Sequence, residues 1–149
     1  MDGPLPSGVE EWAVEARCGA VVSFRGTVRD HAEGRDGVEA LRYEAYDEGA
    51  RVRLAELAAE ARRRWPGLGR LAVLHRVGDL VPTDTAVLVV VASAHRDEAF
   101  VAGRWLIDAV KSTVPIWKYE RWADGEGCGT GAQALVAPSA LGDGSEVAR

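Results

Sequence analysis

Lysine is almost absent from this chain. Only Lys111 and Lys118 occur among 149 residues, against sixteen arginines, so ordinary demand for positive charge is met by arginine and the two ammonium groups stand out. Cysteine is as scarce. Cys18 and Cys128 share no CxxC spacing and belong to no His/Cys ligand cluster, which argues against a metal centre and for two free structural thiols. The net charge of -5 excludes the broad basic surface of a nucleic-acid binder, so any anion site must be local. No run approaches the roughly eighteen apolar residues of a membrane span. The opening MDGPLPSGVEEW has neither a basic n-region nor an apolar h-region, so a soluble, cytoplasmic protein is expected.

What is present reads as one globular domain. Apolar residues make up 47% and charged residues 28%, with five tryptophans, and a chain of this length buries about 68–70% of the surface it would expose unfolded. Residues 1–18 form an N-terminal segment and 19–122 the body. Residues 123–149, rich in Gly, Ala and Ser, read as a partly disordered tail. AVVSFRGTV (20–28) and VEALRYEAY (38–46) have strand character and are joined by the polar RDHAEGRDG, which reads as a mobile loop. From Ala50 to Trp65 the apolar residues recur at helical spacing until Pro66-Gly67. LAVLHRVG (71–78) and TAVLVVVAS (85–93) read as strands, the second apolar enough to be buried on both faces. A second helix begins near Arg96, with Asp97 and Glu98 at its positive end, and runs to about Ser112 before Pro115. IWKYERW (116–122) closes the body as a short strand. The order ββαββαβ predicts an α+β protein: a mostly antiparallel sheet with two main helices packed on one face, in the manner of an α/β-hammerhead.

Helix and strand geometry give the lysines a common destination. At 100° per residue, Phe100, Arg104 and Lys111 share one stripe of the second helix. Across the turn at Pro115, period two puts Ile116, Lys118, Glu120 and Trp122 on one face, with Trp117 and Tyr119 opposite. Two ammonium groups converging in one partly desolvated pocket would depress at least one of them and supply a nucleophile or proton donor. The alternative is a helix C-terminal cation and a Lys118–Glu120 pair on an exposed strand. Upstream, Ser93-Ala94-His95-Arg96 joins a buried strand to a helix start, a place for an anion or simply for a capping histidine. Gly26-Thr27-Val28-Arg29 offers a glycine for close approach and an arginine for a phosphate or carboxylate, or else an ordinary strand end. His75 reads as a satisfied core histidine, and the Arg62-Arg63-Arg64 run as a solvated helix end.

Together GAVVSFRGTVRDH (19–31), LRYEAY (41–46), AEARRRWPGLGRLAVLHRVGDLVPTD (59–84), VASAHRDEAFVAG (91–103) and VKSTVPIWKYE (110–120) resemble the large, catalytic subunit family of molybdopterin synthase. The resemblance implies a sulfurtransferase that converts cyclic pyranopterin monophosphate into molybdopterin, without a cofactor or metal of its own. It implies that the two dithiolene sulfurs come from the C-terminal thiocarboxylate of a ubiquitin-like small subunit, and that two large subunits form a homodimer within a heterotetramer. By motif position Lys111 and Lys118 are the catalytic lysines, Arg29, His95 and Arg96 the substrate-anion contacts with Thr27 and Val28 beside them, and Tyr119 and Glu120 part of the segment lining the pocket. Two positions depart from the family pattern: Ile116 where an aromatic is usual, and Asp30, which sets a negative charge near a proposed anion site. The chain contains no ubiquitin-like domain and ends in Val-Ala-Arg, so the sulfur donor is expected to be a separate protein. Two other readings are a non-catalytic scaffold that binds a ubiquitin-like tail and a lysine Schiff-base enzyme.

Overall fold

The computed structural model describes residues 1–32, 34–123, 125–129 and 138–141. In chain order the elements are α1 (Val9–Ala13), β1 (Ala20–Thr27), β2 (His31–Ala32), β3 (Arg35–Asp36), β4 (Val38–Ala45), α2 (Asp47–Arg64), β5 (Leu68–His75), β6 (Gly78–Leu80), β7 (Thr85–Ser93), α3 (Arg96–Thr113), β8 (Ile116–Trp122) and β9 (Gly125–Gly129), followed by a short 3-10 turn at Pro138–Ala140. The predicted α+β class is found, but the strands divide into two antiparallel sheets. One has the order β1-β7-β5 and the other β6-β4-β8-β9, while β2 and β3 form a small hairpin.

The first sheet is built on β7. Its TAVLVVVAS sequence is buried from Ala86 to Ser93, as a strand flanked on both sides and covered on both faces must be. Its two faces meet different helices. Val87, Val89 and Val91 pack with Leu57 and Ala61 of α2 and with Trp105, Leu106 and Val110 of α3, so the two main helices share one face as expected. Leu88, Val90 and Ala92 meet Val9 and Ala13 of α1, a helix too short for periodicity to announce. In the second sheet, Leu41 and Leu80 gather with Val28 and Ala86 in a separate cluster, which fastens the two sheets together.

The segment expected to be a mobile loop contains the β2–β3 hairpin, with Gly34 and Gly37 at φ 75° and 73°. Much of the predicted tail lies outside the described residues. Two parts of it are placed: β9 pairs antiparallel with β8, and Leu141 packs against the α2–α3 core. Arg64 donates to the carbonyls of Pro138 and Leu141, at 3.3 and 2.6 Å. Arg62 and Arg63 of the arginine run are exposed, as expected of a solvated helix end, but Arg64 is largely covered, and the run is also tied down: Arg62 donates to the Gly69 carbonyl at 2.7 Å, and Arg63 and Arg64 both bond to buried Glu60. No helix among the described residues is long and apolar enough to cross a membrane.

Candidate active site

The two sheets meet along a seam, and in that seam lies a cavity of about 370 Å³ lined by both Lys111 and Lys118. Each amine arrives from a different layer. Lys111 stands in the last turn of α3, which rests on the first sheet. Helix α3 ends at Val114, whose N–H still donates to the Val110 carbonyl at 3.1 Å, and Ile116 N–H then bonds to the Val114 carbonyl at 2.8 Å. The chain thereby enters β8 and the second sheet, where Lys118 lies directly across from Tyr43 of β4. Ile116 contributes apolar wall to the same cavity, so its departure from an aromatic leaves the lysines in place.

Lys118 is ion-paired with Glu120, two residues on along the same face. Glu120 is only 6% exposed. An ammonium held against a buried carboxylate suits proton donation and anion binding more than attack as a free amine. Lys111 is exposed and also lines an adjoining groove of about 600 Å³ with Phe24, Phe100 and Arg104. The helical stripe expected from spacing thus forms one wall of an open approach to the cavity.

Thr27 lines the cavity beside Gly26. The register of β1 against β7 shifts between these two residues, a bulge that bends the strand end over the site. Gly26 permits this close approach, since a Cβ there would lie 2.5 Å from a Val87 methyl. Val28 is buried among the residues that join the sheets, so it braces the site without facing the cavity. Its N–H donates to the Asp84 carbonyl at 2.9 Å, and its carbonyl accepts from Thr83 N–H at 2.8 Å. Thr83 sits in that turn at φ 79°. Arg29 is exposed just beyond. Asp30, the departure nearest to it, accepts a hydrogen bond from His31 Nδ1 at 2.8 Å, which holds its carboxyl below the ordinary range.

His95 and Arg96 are not brought to the lysines within one chain. They stand exposed at the opposite end of α3, and sixteen residues at 1.5 Å rise put His95 about 24 Å from Lys111 along the axis. His95 occupies the N-cap position but makes no side-chain capping bond, so it is not a capping histidine. Tyr119 is also separate from the cavity: it points to the other side of β8, where it lines a different hollow with Arg42 and Arg121. Among the described residues no group of three His, Cys, Asp or Glu side chains is placed to hold a metal ion.

Two wall residues escape a reading of the sequence. Tyr43 and His75 both line the lysine cavity, their rings edge to face with centroids 5.0 Å apart. His75 Nδ1 donates to the Arg76 carbonyl at 2.7 Å, so it is satisfied on one side, as expected of a core histidine, yet it also borders open space. Period two offered a signal: Leu71, Val73 and His75 share the face of β5 turned to α3.

Fold and site together define an α+β group-transfer enzyme with two amines gathered at a seam between its sheets. Residues 5–113 match the family described as MoaE protein, and the chain belongs to that family, the catalytic subunits of molybdopterin synthase. It is 48% identical over 128 residues to the molybdopterin synthase catalytic subunit of Salmonella typhimurium, covering 83% of this chain and 84% of that one. Its fold matches the crystal structure of molybdopterin synthase from Staphylococcus aureus with a TM-score of 0.80 and 38% identity, over 85% of this chain and 92% of that chain. A fold match at 24% identity and TM-score 0.62 is to a chain in the protein–protein complex of subunits 1 and 2 of the molybdopterin-converting factor from Helicobacter pylori, over 74% of this chain and 70% of that one.

Proposed function

We propose that this chain converts cyclic pyranopterin monophosphate into molybdopterin, taking both dithiolene sulfurs from the C-terminal thiocarboxylate of a separate ubiquitin-like small subunit in the cytoplasm. The observation that supports this most is the convergence of Lys111 and Lys118 on one cavity. A thiocarboxylate is already a sulfur nucleophile. The protein therefore needs to position it, protonate leaving oxygens and stabilise developing negative charge. Lys118, paired with Glu120, orients substrate and donates protons. Lys111 meets the thiocarboxyl carbon, as an oxyanion stabiliser or a transient nucleophile. The groove past Phe24, Phe100 and Arg104, of about 600 Å³ and also lined by Lys111, is the approach by which the peptide tail reaches it.

His95 and Arg96 enter this reading through a second copy. A side chain about 24 Å along α3 cannot share a substrate with Lys111 of its own protomer, so these residues hold the substrate anion of a neighbouring protomer in a heterotetramer of two large and two small subunits. Arg29, with Thr27 and Val28 behind it, supplies the same anion with a guanidinium fork.

The test combines the purified chain, the thiocarboxylated small subunit and the cyclic precursor, with dithiolene product measured as its oxidised fluorescent derivative. Lys111→Ala should abolish conversion while leaving partner binding within about twofold, since the exposed side chain contributes little packing. Full conversion by this variant would remove Lys111 from the chemistry, no product from the wild-type chain under conditions where a known large subunit works would favour the scaffold reading, and a borohydride-trapped imine on Lys111 would favour the Schiff-base one. For the shared site, Lys118→Ala and Arg96→Ala should each be inactive, yet regain about a quarter of wild-type activity when mixed as exchanging dimers. No regain in a mixed dimer would remove His95 and Arg96 from the site.

A further inference from the structure

The cavity has a cationic wall and a neutral polar one, and the neutral wall has no part in the reading above. Tyr43 lies directly across from Lys118 in the β4–β8 ladder, and its ring meets His75 edge to face. Lysine, phenol and imidazole therefore follow one another around the cavity from two sheets.

The tautomer of His75 is set by its surroundings. The Arg76 carbonyl can only accept, so Nδ1 carries the proton in the 2.7 Å bond between them. Nε2 is then a lone pair when the ring is neutral. It makes no other hydrogen bond among the described residues, and it is not among their sealed, unpartnered buried atoms, so it reaches open space. The ring borders the lysine cavity and a smaller hollow of about 160 Å³ lined by Asp47 and Arg51 of α2. Burial depresses the imidazole below its ordinary range, with the Arg76 carbonyl opposing and the chain's terminal ammonium adding to the shift. Burial and then Glu120 raise the Tyr43 phenol, which keeps it an O–H donor.

We propose that His75 contacts substrate directly: its Nε2 accepts a hydrogen bond from a ring or exocyclic N–H of the heterocycle whose anionic end lies against the lysines. This rests on the sulfur-transfer reading and adds a recognition element for it. A fused heterocycle offers N–H donors along one edge and, with its phosphate, anionic oxygens at the other. A wall of lysines alone would grip any small anion. An acceptor facing them across the cavity selects a ligand that carries both chemistries, because an unpaired acceptor in a partly buried site penalises one that lacks the donor.

The groups that face His75 are Tyr43 on β4, Lys111 on α3, Lys118 on β8, Asp47 and Arg51 on α2, and the Met1 ammonium and Asp2 of the N-terminal segment, with Arg76 beside it in the chain. The experiment compares wild type, His75→Phe and His75→Gln in the conversion assay from pH 5 to 8. Phenylalanine keeps the edge-to-face packing on Tyr43 without an acceptor, whereas glutamine restores an acceptor oxygen near the Nε2 position. His75→Phe should raise KM for the cyclic precursor roughly five- to tenfold, the effect of losing one neutral hydrogen bond, with kcat changed less. His75→Gln should recover most of that loss. Wild-type KM should rise as pH falls below the ordinary imidazole value of 6.5, and this acid rise should be missing in His75→Gln. A His75→Phe variant that melts like wild type and keeps KM within twofold overturns the proposal, as does an acid rise unchanged in His75→Gln. If His75→Phe does not fold, the His75→Gln profile decides by itself. An inactive wild type overturns the sulfur-transfer reading and this proposal with it, whereas an active wild type with an unmoved His75→Phe overturns only the role of His75.

Discussion

Gly26 and Thr83 show how single residues shape the wall of this site. A methyl at Gly26 would press on Val87 at 2.5 Å and on the Phe24 ring at 3.3 Å, in a strand end that already carries a bulge. Gly26→Ala should cost about 1–3 kcal/mol, the usual penalty for forcing atoms into filled space, and a shift of Thr27 should lower conversion as well; thermal melts and the fluorescence assay check both. Thr83 is the opposite case. A β-branched residue at φ 79° is strained, and it is held there by the bonds that tie the turn to Val28. Thr83→Gly should stabilise the protein by about 1 kcal/mol, measured by denaturant unfolding, and an equal or lower midpoint would mean that the hydroxyl residue fits this turn without strain. At this scale the lysines were legible because the chain has so few of them. His75 was not, since a single polar residue closing an apolar strand has the same signature whether it faces packed atoms or a cavity.

Among the elements, α2 joins the core to the end of the described chain. Buried Glu60 takes hydrogen bonds from Arg63 and Arg64, which hold its carboxyl at about 2. Arg64 lies over the Trp105 ring at 4.7 Å and reaches the carbonyls of Pro138 and Leu141. A depressed carboxyl favours the folded state fully above its unfolded value of 4.5, and that contribution is lost as pH falls from there toward 2. Melting temperature should therefore drop through this window in wild type and drop less steeply in Glu60→Gln, which starts lower at pH 7; parallel curves would show that the arginines hold nothing. The strands β1, β4, β5, β7 and β8 and the helices α2 and α3 were legible because each is long enough to display its period. The others were too short or too poor in apolar residues: α1 has five residues, β6 three, the β2–β3 hairpin lies in a charged stretch, and β9 is the glycine-rich GEGCG. Of the arginine run, only Arg64 departs from a solvated helix end, because composition cannot reveal that Glu60, one turn earlier, is buried.

The whole molecule places its two lysines on one cavity between two sheets, which alternation along strands could not foretell, because each strand looks the same whichever partner it finds. β9 completes the second sheet and pairs Gly129 with Lys118 and Gly127 with Glu120. A chain cut after Ala123 loses this strand and the Leu141 contact, so it should unfold at a lower temperature and convert less precursor than the full chain; a truncated chain of full activity would show that β8 needs no outer neighbour.

The two amines are joined by only six residues, 112–117, running from a helix end through Pro115 into a strand. That short span works like a pair of callipers whose jaws belong to different layers. One extra residue within β8 ahead of Lys118 would turn the lysine to the outer face, which Tyr119 now occupies, and bring Tyr119 inward, leaving Lys111 alone at the cavity. The gap between the two amines is therefore set by the length of this span more than by any single contact.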